Sequence, residues 1–198
     1  MGLAAMVWAE VEAGLCDIFR RSRALEAPAA RQVFYMHRTF GGRIDMLRSA
    51  AEFPAARLHA TDAAIARHIG LTCGDWVGWR DLMAHGRIRR LGAEAASPGA
   101  WAVMDIECDL SRGARGEAID AAQVAYVYAN FSSLLALVNV FLEAGEGVQG
   151  PSGEACLSML RRLPRDPRGG EMSASDRACL AQLVGPRLRL CAAGGGAG

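Results

Sequence analysis

The stretch Arg80-Asp81-Leu82-Met83-Ala84-His85-Gly86 carries the residues best suited to chemistry. An arginine can neutralise charge that develops on a phosphate. A histidine can take or give a proton near neutral pH. Together they are the minimum needed to cut RNA without a metal. His85 would take a proton from a 2′-hydroxyl or return one to the leaving oxygen, and Arg80 would hold the scissile phosphate. Asp81 lies four residues before His85, so on a helix the two share a face and the carboxylate can orient the imidazole. Gly86 is a natural helix terminator, which puts His85 in the last turn, where the helix dipole favours a cation. The same residues also make an ordinary helix end, with Arg80 paired to Asp81 or Asp75 in solvent and His85 as a simple cap.

Spacing makes one demand. Five residues of unbroken helix place Arg80 and His85 roughly 140° apart around the axis. They converge only if the helix ends or bends between them, or if a second copy of the chain completes the site. The requirement favours a dimer.

Other groups are candidates of lower rank. His37, followed by Arg38, is an accessory site candidate facing His85, or else a hydrogen-bonded core histidine. His59 and His68 lack the spacing and the neighbours of a zinc site. Asp105, Glu107 and Asp109 alternate along an extended stretch; they could hold a divalent cation, but suit a solvated acidic edge better. Arg161, Arg162, Arg165 and Arg168 form a basic run broken by Pro164 and Pro167, either a phosphate contact or a solvated linker. Trp76 and Trp79, just before the heptapeptide, could stack a base or pack against a neighbouring helix.

The 198 residues suffice for one good core or one domain plus a short appendage. Hydrophobic residues make up 52% and charged ones 22%, the balance of a globular chain. A formal net charge of +1 excludes a strongly basic nucleic-acid coat, though not a local patch. All 22 basic residues are arginine, so any phosphate contact must come from Arg, backbone or helix ends. No secretory signal is legible, and the six cysteines form no CxxC pair, which reads as reduced thiols. The apolar run 126–142 is short for a membrane span and carries Asn130 and Asn139, so a buried helix is expected.

The elements that must position the site follow from periodicity. A first helix is expected over about 4–24, with Trp8, Val11, Leu15 and Ile18 on one face. A second opens at Pro28 and runs to Pro54, with Val33, His37, Phe40, Ile44, Leu47 and Ala51 as its apolar stripe and Gly41-Gly42 marking a close approach. A short third helix spans about 62–68, and a fourth about 75–95, breaking near Gly86. Ala102 to Leu110 alternates as a strand does. Asp120 to Glu143 is the strongest helix, apolar on nearly every side, with a narrow stripe of Asp120, Gln123, Asn130 and Ser133. Short helices near 154–163 and 175–190 follow a glycine-rich linker. The expected fold class is all-α: an antiparallel helical bundle of four to five helices over 3–145, with a short extended or strand arm. Residues 146–198 are expected to form a C-terminal helical appendage with a flexible linker and a disordered tail.

The heptapeptide resembles the Arg-(four to six residues)-His motif of the HEPN superfamily. Four residues separate Arg80 from His85, and Asp81 supplies the polar residue that usually follows the arginine, where Asn is more frequent. Val33-Phe34-Tyr35 and Ser49, within a long apolar stretch, are also similar to a bacterial HEPN-like group. The resemblance covers mainly 75–95. It implies an all-α dimer, a metal-independent endoribonuclease without cofactor, and Arg80, Asp81 and His85 as catalytic residues at a composite dimer interface. It further implies an RNA substrate, a bacterial cytoplasmic setting of the defence or toxin–antitoxin type, and an antitoxin or other partner protein. The reading from a different class is a noncatalytic helical dimerisation or protein-binding module of the same fold.

Overall fold

A computed structural model describes residues 1–52, 58–90, 100–104, 119–143, 151–168, 170 and 172–184. Its first helix, α1 (Gly2–Arg23), buries Trp8, Val11, Leu15 and Ile18 at the expected helical spacing. Side chains buried this fully contribute about 1.5–3 kcal/mol each for Leu, Ile or Val. Trp8 sits between two other elements, 4.7 Å from the ring of Phe131 and 5.4 Å from that of Phe40. The helix ends in a left-handed residue, Ala24 (φ 49°), and the N–H groups of Ala24 and Leu25 close on the carbonyls of Arg21 and Arg20.

The expected single helix from Pro28 to Pro54 is two helices, α2 (Ala27–Met36) and α3 (Phe40–Glu52). The break falls at His37-Arg38-Thr39. Thr39 caps α3: its Oγ1 accepts the Gly42 N–H at 3.2 Å, and its carbonyl accepts the Arg43 N–H. Gly41 and Gly42 therefore lie in a first turn, not in mid-helix. The break also corrects the expected stripe. Phe40, Ile44, Leu47 and Ala51 are buried, but Val33 and His37 are exposed.

A second correction concerns the expected pair of helices at 62–68 and 75–95. One unbroken helix, α4 (Ala60–His85), replaces them. Gly70, Gly74 and Gly78 are carried inside it; at Gly70 the side chain of Arg48 lies where a larger residue would intrude. The chain leaves α4 at Gly86, whose backbone is extended. This glycine is needed for space: a Cβ there would lie 2.4 Å from the Leu82 carbonyl oxygen and 2.7 Å from Val103. Beyond it the expected helix is replaced by β1 (Arg87–Arg90), which pairs antiparallel with β2 (Trp101–Met104), Arg87 opposite Met104 and Arg90 opposite Trp101. Val103 exchanges two further backbone hydrogen bonds with Ile119. The strand expected over 102–110 is thus described to Met104; the Asp105, Glu107 and Asp109 row lies outside the described residues.

The helix α5 (Ala121–Glu143) is opened by a reciprocal box: Gln123 N–H donates to Asp120 Oδ1 at 2.8 Å, and Asp120 N–H to Gln123 Oε1 at 3.1 Å. By length and composition alone α5 could cross a membrane, yet it runs through the middle of the bundle, packed on α1, α4, α6 and α7. It approaches α1 closely at Gly14, where a Cβ would meet Val138 at 2.4 Å. Two helices follow, α6 (Pro151–Arg162) and α7 (Ala174–Val184). Cys156, Met159, Leu160 and Leu180 join the same buried cluster as α1–α5. The segment between them is pinned by two side chains. Trp76 Nε1 donates to the Pro164 carbonyl at 2.9 Å, and Asn130 Nδ2 donates to those of Pro167 and Gly170 at 2.8 and 3.1 Å. Residues 144–150 and 185–198, which hold the expected linker, the last residues of the helix expected near 175–190 and the expected tail, lie outside the described residues. The fold is all-α, five helices over the main body with two more behind it among the described residues and one small hairpin.

Candidate functional site

Arg80 points from α4 into the junction with α1 and α3. Its Nη1 donates to Asp81 Oδ1 at 2.6 Å, and its Nη2 lies 3.6 Å from Glu12 Oε2 on α1. The other Glu12 oxygen accepts from Arg43 Nη1 on α3. One carboxylate, 14% exposed, therefore holds two guanidiniums that are 15% and 26% exposed. Burial, and then the charge of Arg80, lowers the pKa of Arg43 from its ordinary value. Each cation also lies over a ring: Arg80 is 5.5 Å from the centre of Phe40, and Arg43 is 4.9 Å from that of Tyr35. Arg43 Nε completes its bonding by donating to the His37 carbonyl at 2.9 Å. The network ties three helices and the α2–α3 break together, with two carboxylates balancing two cations.

His85 stands apart from that network. Because α4 continues unbroken to His85, five residues of helix turn His85 roughly 140° away from Arg80. His85 is exposed at the end of the helix. Asp81 gives its carboxylate to Arg80, and among the described residues it makes no hydrogen bond to His85. Within one chain, Arg80 and Asp81 are brought together and His85 is not brought to them.

Of the accessory pair, His37 is exposed as the residue that closes α2, and its ring lies against Gly42; Arg38 is exposed beside it. His37 thus neighbours the Arg43 end of the network. Glu12 and Arg43 went unnoticed in the sequence. Their signal is faint: Glu12 sits four residues after Trp8, at the edge of the buried face of α1, and Arg43 one turn after Thr39.

The remaining candidates have clear places. Trp76 is fully buried, 5.8 Å from Phe131, and Trp79 is covered by the guanidinium of Arg168 at 4.8 Å. Arg168 also pairs with Asp166 at 2.9 Å, and Arg162 with Asp176 at 2.6 Å. Among the described residues no cluster of three His, Cys, Asp or Glu side chains could hold a metal ion. Cys16, Cys73, Cys156 and Cys179 are free thiols. Burial pushes Cys156 up to about 12 and Cys73 higher still, so neither is a nucleophile at neutral pH.

Comparison with protein-family models, with curated proteins and with solved structures finds no match to the chain.

Proposed function

We propose that the chain is a noncatalytic helical module of HEPN-like fold that works by association with a second copy of itself. The observation that carries this reading is the state of Arg80. It is fastened by Glu12 and Asp81, while His85 lies on another side of the same unbroken helix. A guanidinium already balanced by two carboxylates is poorly prepared to neutralise a transition state, because those contacts must break first. A surface for association is supported just beyond the end of α4, at the hairpin. Met1, the hairpin residues Ile88 and Trp101, and Val124 border an apolar groove of about 210 Å³. Ile88 and Trp101 are 61% and 63% exposed.

One observation favours a second reading, the metal-independent endoribonuclease. His85 ends α4 exposed and without a hydrogen-bond partner among the described residues, so it is free to reach a phosphate held by another subunit. The two readings part in one experiment. Purified protein is incubated with single-stranded RNA in EDTA while its mass is measured by light scattering. The module reading expects a dimer that leaves the RNA intact, and a monomer when Ile88 and Trp101 are both changed to Glu. Cutting in EDTA that disappears in His85→Ala would overturn it in favour of the nuclease.

A further inference from the structure

A groove of about 440 Å³ runs between α4 and the end of α6, away from the Arg80 network. Its α4 wall is built from His68, Leu71, Thr72 and Asp75, at positions i, i+3, i+4 and i+7. This spacing makes one continuous helix face. A face turned toward a neighbouring helix is ordinarily apolar. Here it carries an imidazole, a hydroxyl and a carboxylate, and the leucine among them remains 38% exposed. Opposite stand Arg161, in the last turn of α6, and Arg165, just past its end.

None of these five polar side chains makes a hydrogen bond or ion pair with another described residue. The neighbouring Arg162 and Arg168 are both paired to aspartates, so Arg161 and Arg165 are the members of the basic run left with open donors. The loop that carries Arg165 is held in place, because the Trp76 indole bonds the carbonyl of Pro164 next to it. Two guanidiniums against one carboxylate leave the groove net positive. The His68 ring, its pKa lowered by burial and by the charges of Arg161 and Arg67, favours the neutral form and can accept or donate a hydrogen bond. The groove is in the size range of small-ligand sites. Leu71, Leu160 and Pro164 supply apolar surface beside the charged end.

We propose that this groove binds a nucleoside monophosphate. Arg161 and Arg165 take the phosphate in charge-assisted hydrogen bonds. Asp75 accepts from the sugar hydroxyls, and the base lies on Leu71 and Pro164. This assignment is independent of whether the Arg80 network is catalytic.

Isothermal titration of the full chain with 5′-AMP, inorganic phosphate and adenosine tests it. 5′-AMP should bind saturably, at least about tenfold tighter than adenosine, and phosphate alone should bind more weakly than 5′-AMP. The double variant Arg161→Gln/Arg165→Gln should weaken 5′-AMP by about tenfold or more. Both side chains are exposed, so the fold should persist, which circular dichroism checks. Arg31→Gln/Arg87→Gln, an equal loss of charge on other surfaces, should leave the affinity unchanged. The proposal is overturned if 5′-AMP shows no saturable heat up to about 5 mM. Equal binding of 5′-AMP and adenosine, or equal effects of the two double variants, would also overturn it.

Discussion

The Arg80–Glu12 contact makes a quantitative prediction about whether Arg80 is a structural or a reserved group. At 3.6 Å and an effective dielectric of about 20, the direct attraction is about 4–5 kcal/mol. Most of that is cancelled by taking the charges partly out of water and by ordering two side chains, which leaves about 1 kcal/mol for a pair this exposed. Arg80→Gln should therefore cost about 1 kcal/mol, or about 2–4 °C in Tm for a chain of this length. Glu12→Gln should cost more, about 2 kcal/mol, because Arg43 and Arg80 then face each other with no carboxylate between them. The double variant Glu12→Gln/Arg80→Gln removes that repulsion. It should be about 1 kcal/mol more stable than the sum of the single losses predicts. Urea denaturation followed by circular dichroism on the four proteins reads this directly. Additivity within about 0.3 kcal/mol would refute the reasoning, since an arginine kept open for a substrate has no reason to couple to Glu12.

Three further outcomes are expected. Gly14→Ala should destabilise by about 1 kcal/mol, the crowding against Val138 exceeding the gain in helix propensity, and the same change should stabilise in a Val138→Ala background, as thermal melts will show. A thiol reagent at pH 8, with labelled sites located by mass spectrometry, should modify Cys179 readily and leave Cys73 and Cys156 untouched; labelling of either buried thiol before global unfolding would contradict their raised pKa values. His68 binds its proton less readily folded than unfolded, so its contribution to stability is complete above its ordinary value near 6.5 and is lost as pH falls from there through the folded pKa. The fall in stability between pH 7.5 and 5 should be shallower in His68→Gln than in the parent, and equal slopes would count against the depressed pKa.

What the sequence revealed of the fold depended on how local its cause was. α1 follows from one face, Trp8–Val11–Leu15–Ile18, and α5 from a run apolar on nearly every side, and both lie within a residue or two of their expected spans. The break at 37–39 is hidden because the apolar spacing from Val33 to Ala51 runs across it and masks the cap at Thr39. The glycines of α4, Gly70, Gly74 and Gly78, act in the opposite sense. They resemble punctuation, yet packing on α3 and α6 holds the helix through all three. β1, with three arginines in four residues, has no strand signal of its own; it is a strand because Trp101–Met104 offers it a partner.

The heptapeptide shows the same limit at the level of the site. Residue type was legible: Arg80 is a phosphate-capable group, His85 does end a helix, and the angle between them follows from counting residues. The occupant of Arg80 was not, because Glu12 lies 68 positions earlier on another helix and no local pattern announces it. The consequence is a division of one helix into two roles. The inner side at Arg80 fastens α4 to α1 and α3, and the exposed end at His85 faces whatever comes from outside. Pairing these two residues on a phosphate must then be intermolecular. It also requires Glu12 and Asp81 to release Arg80, against an attraction that the double-mutant cycle measures. A coupling near 1 kcal/mol would set a modest barrier that a phosphate dianion can overcome. A much larger coupling would make Arg80 a permanent structural bolt, leaving His85 as the one motif side chain that is unpaired among the described residues.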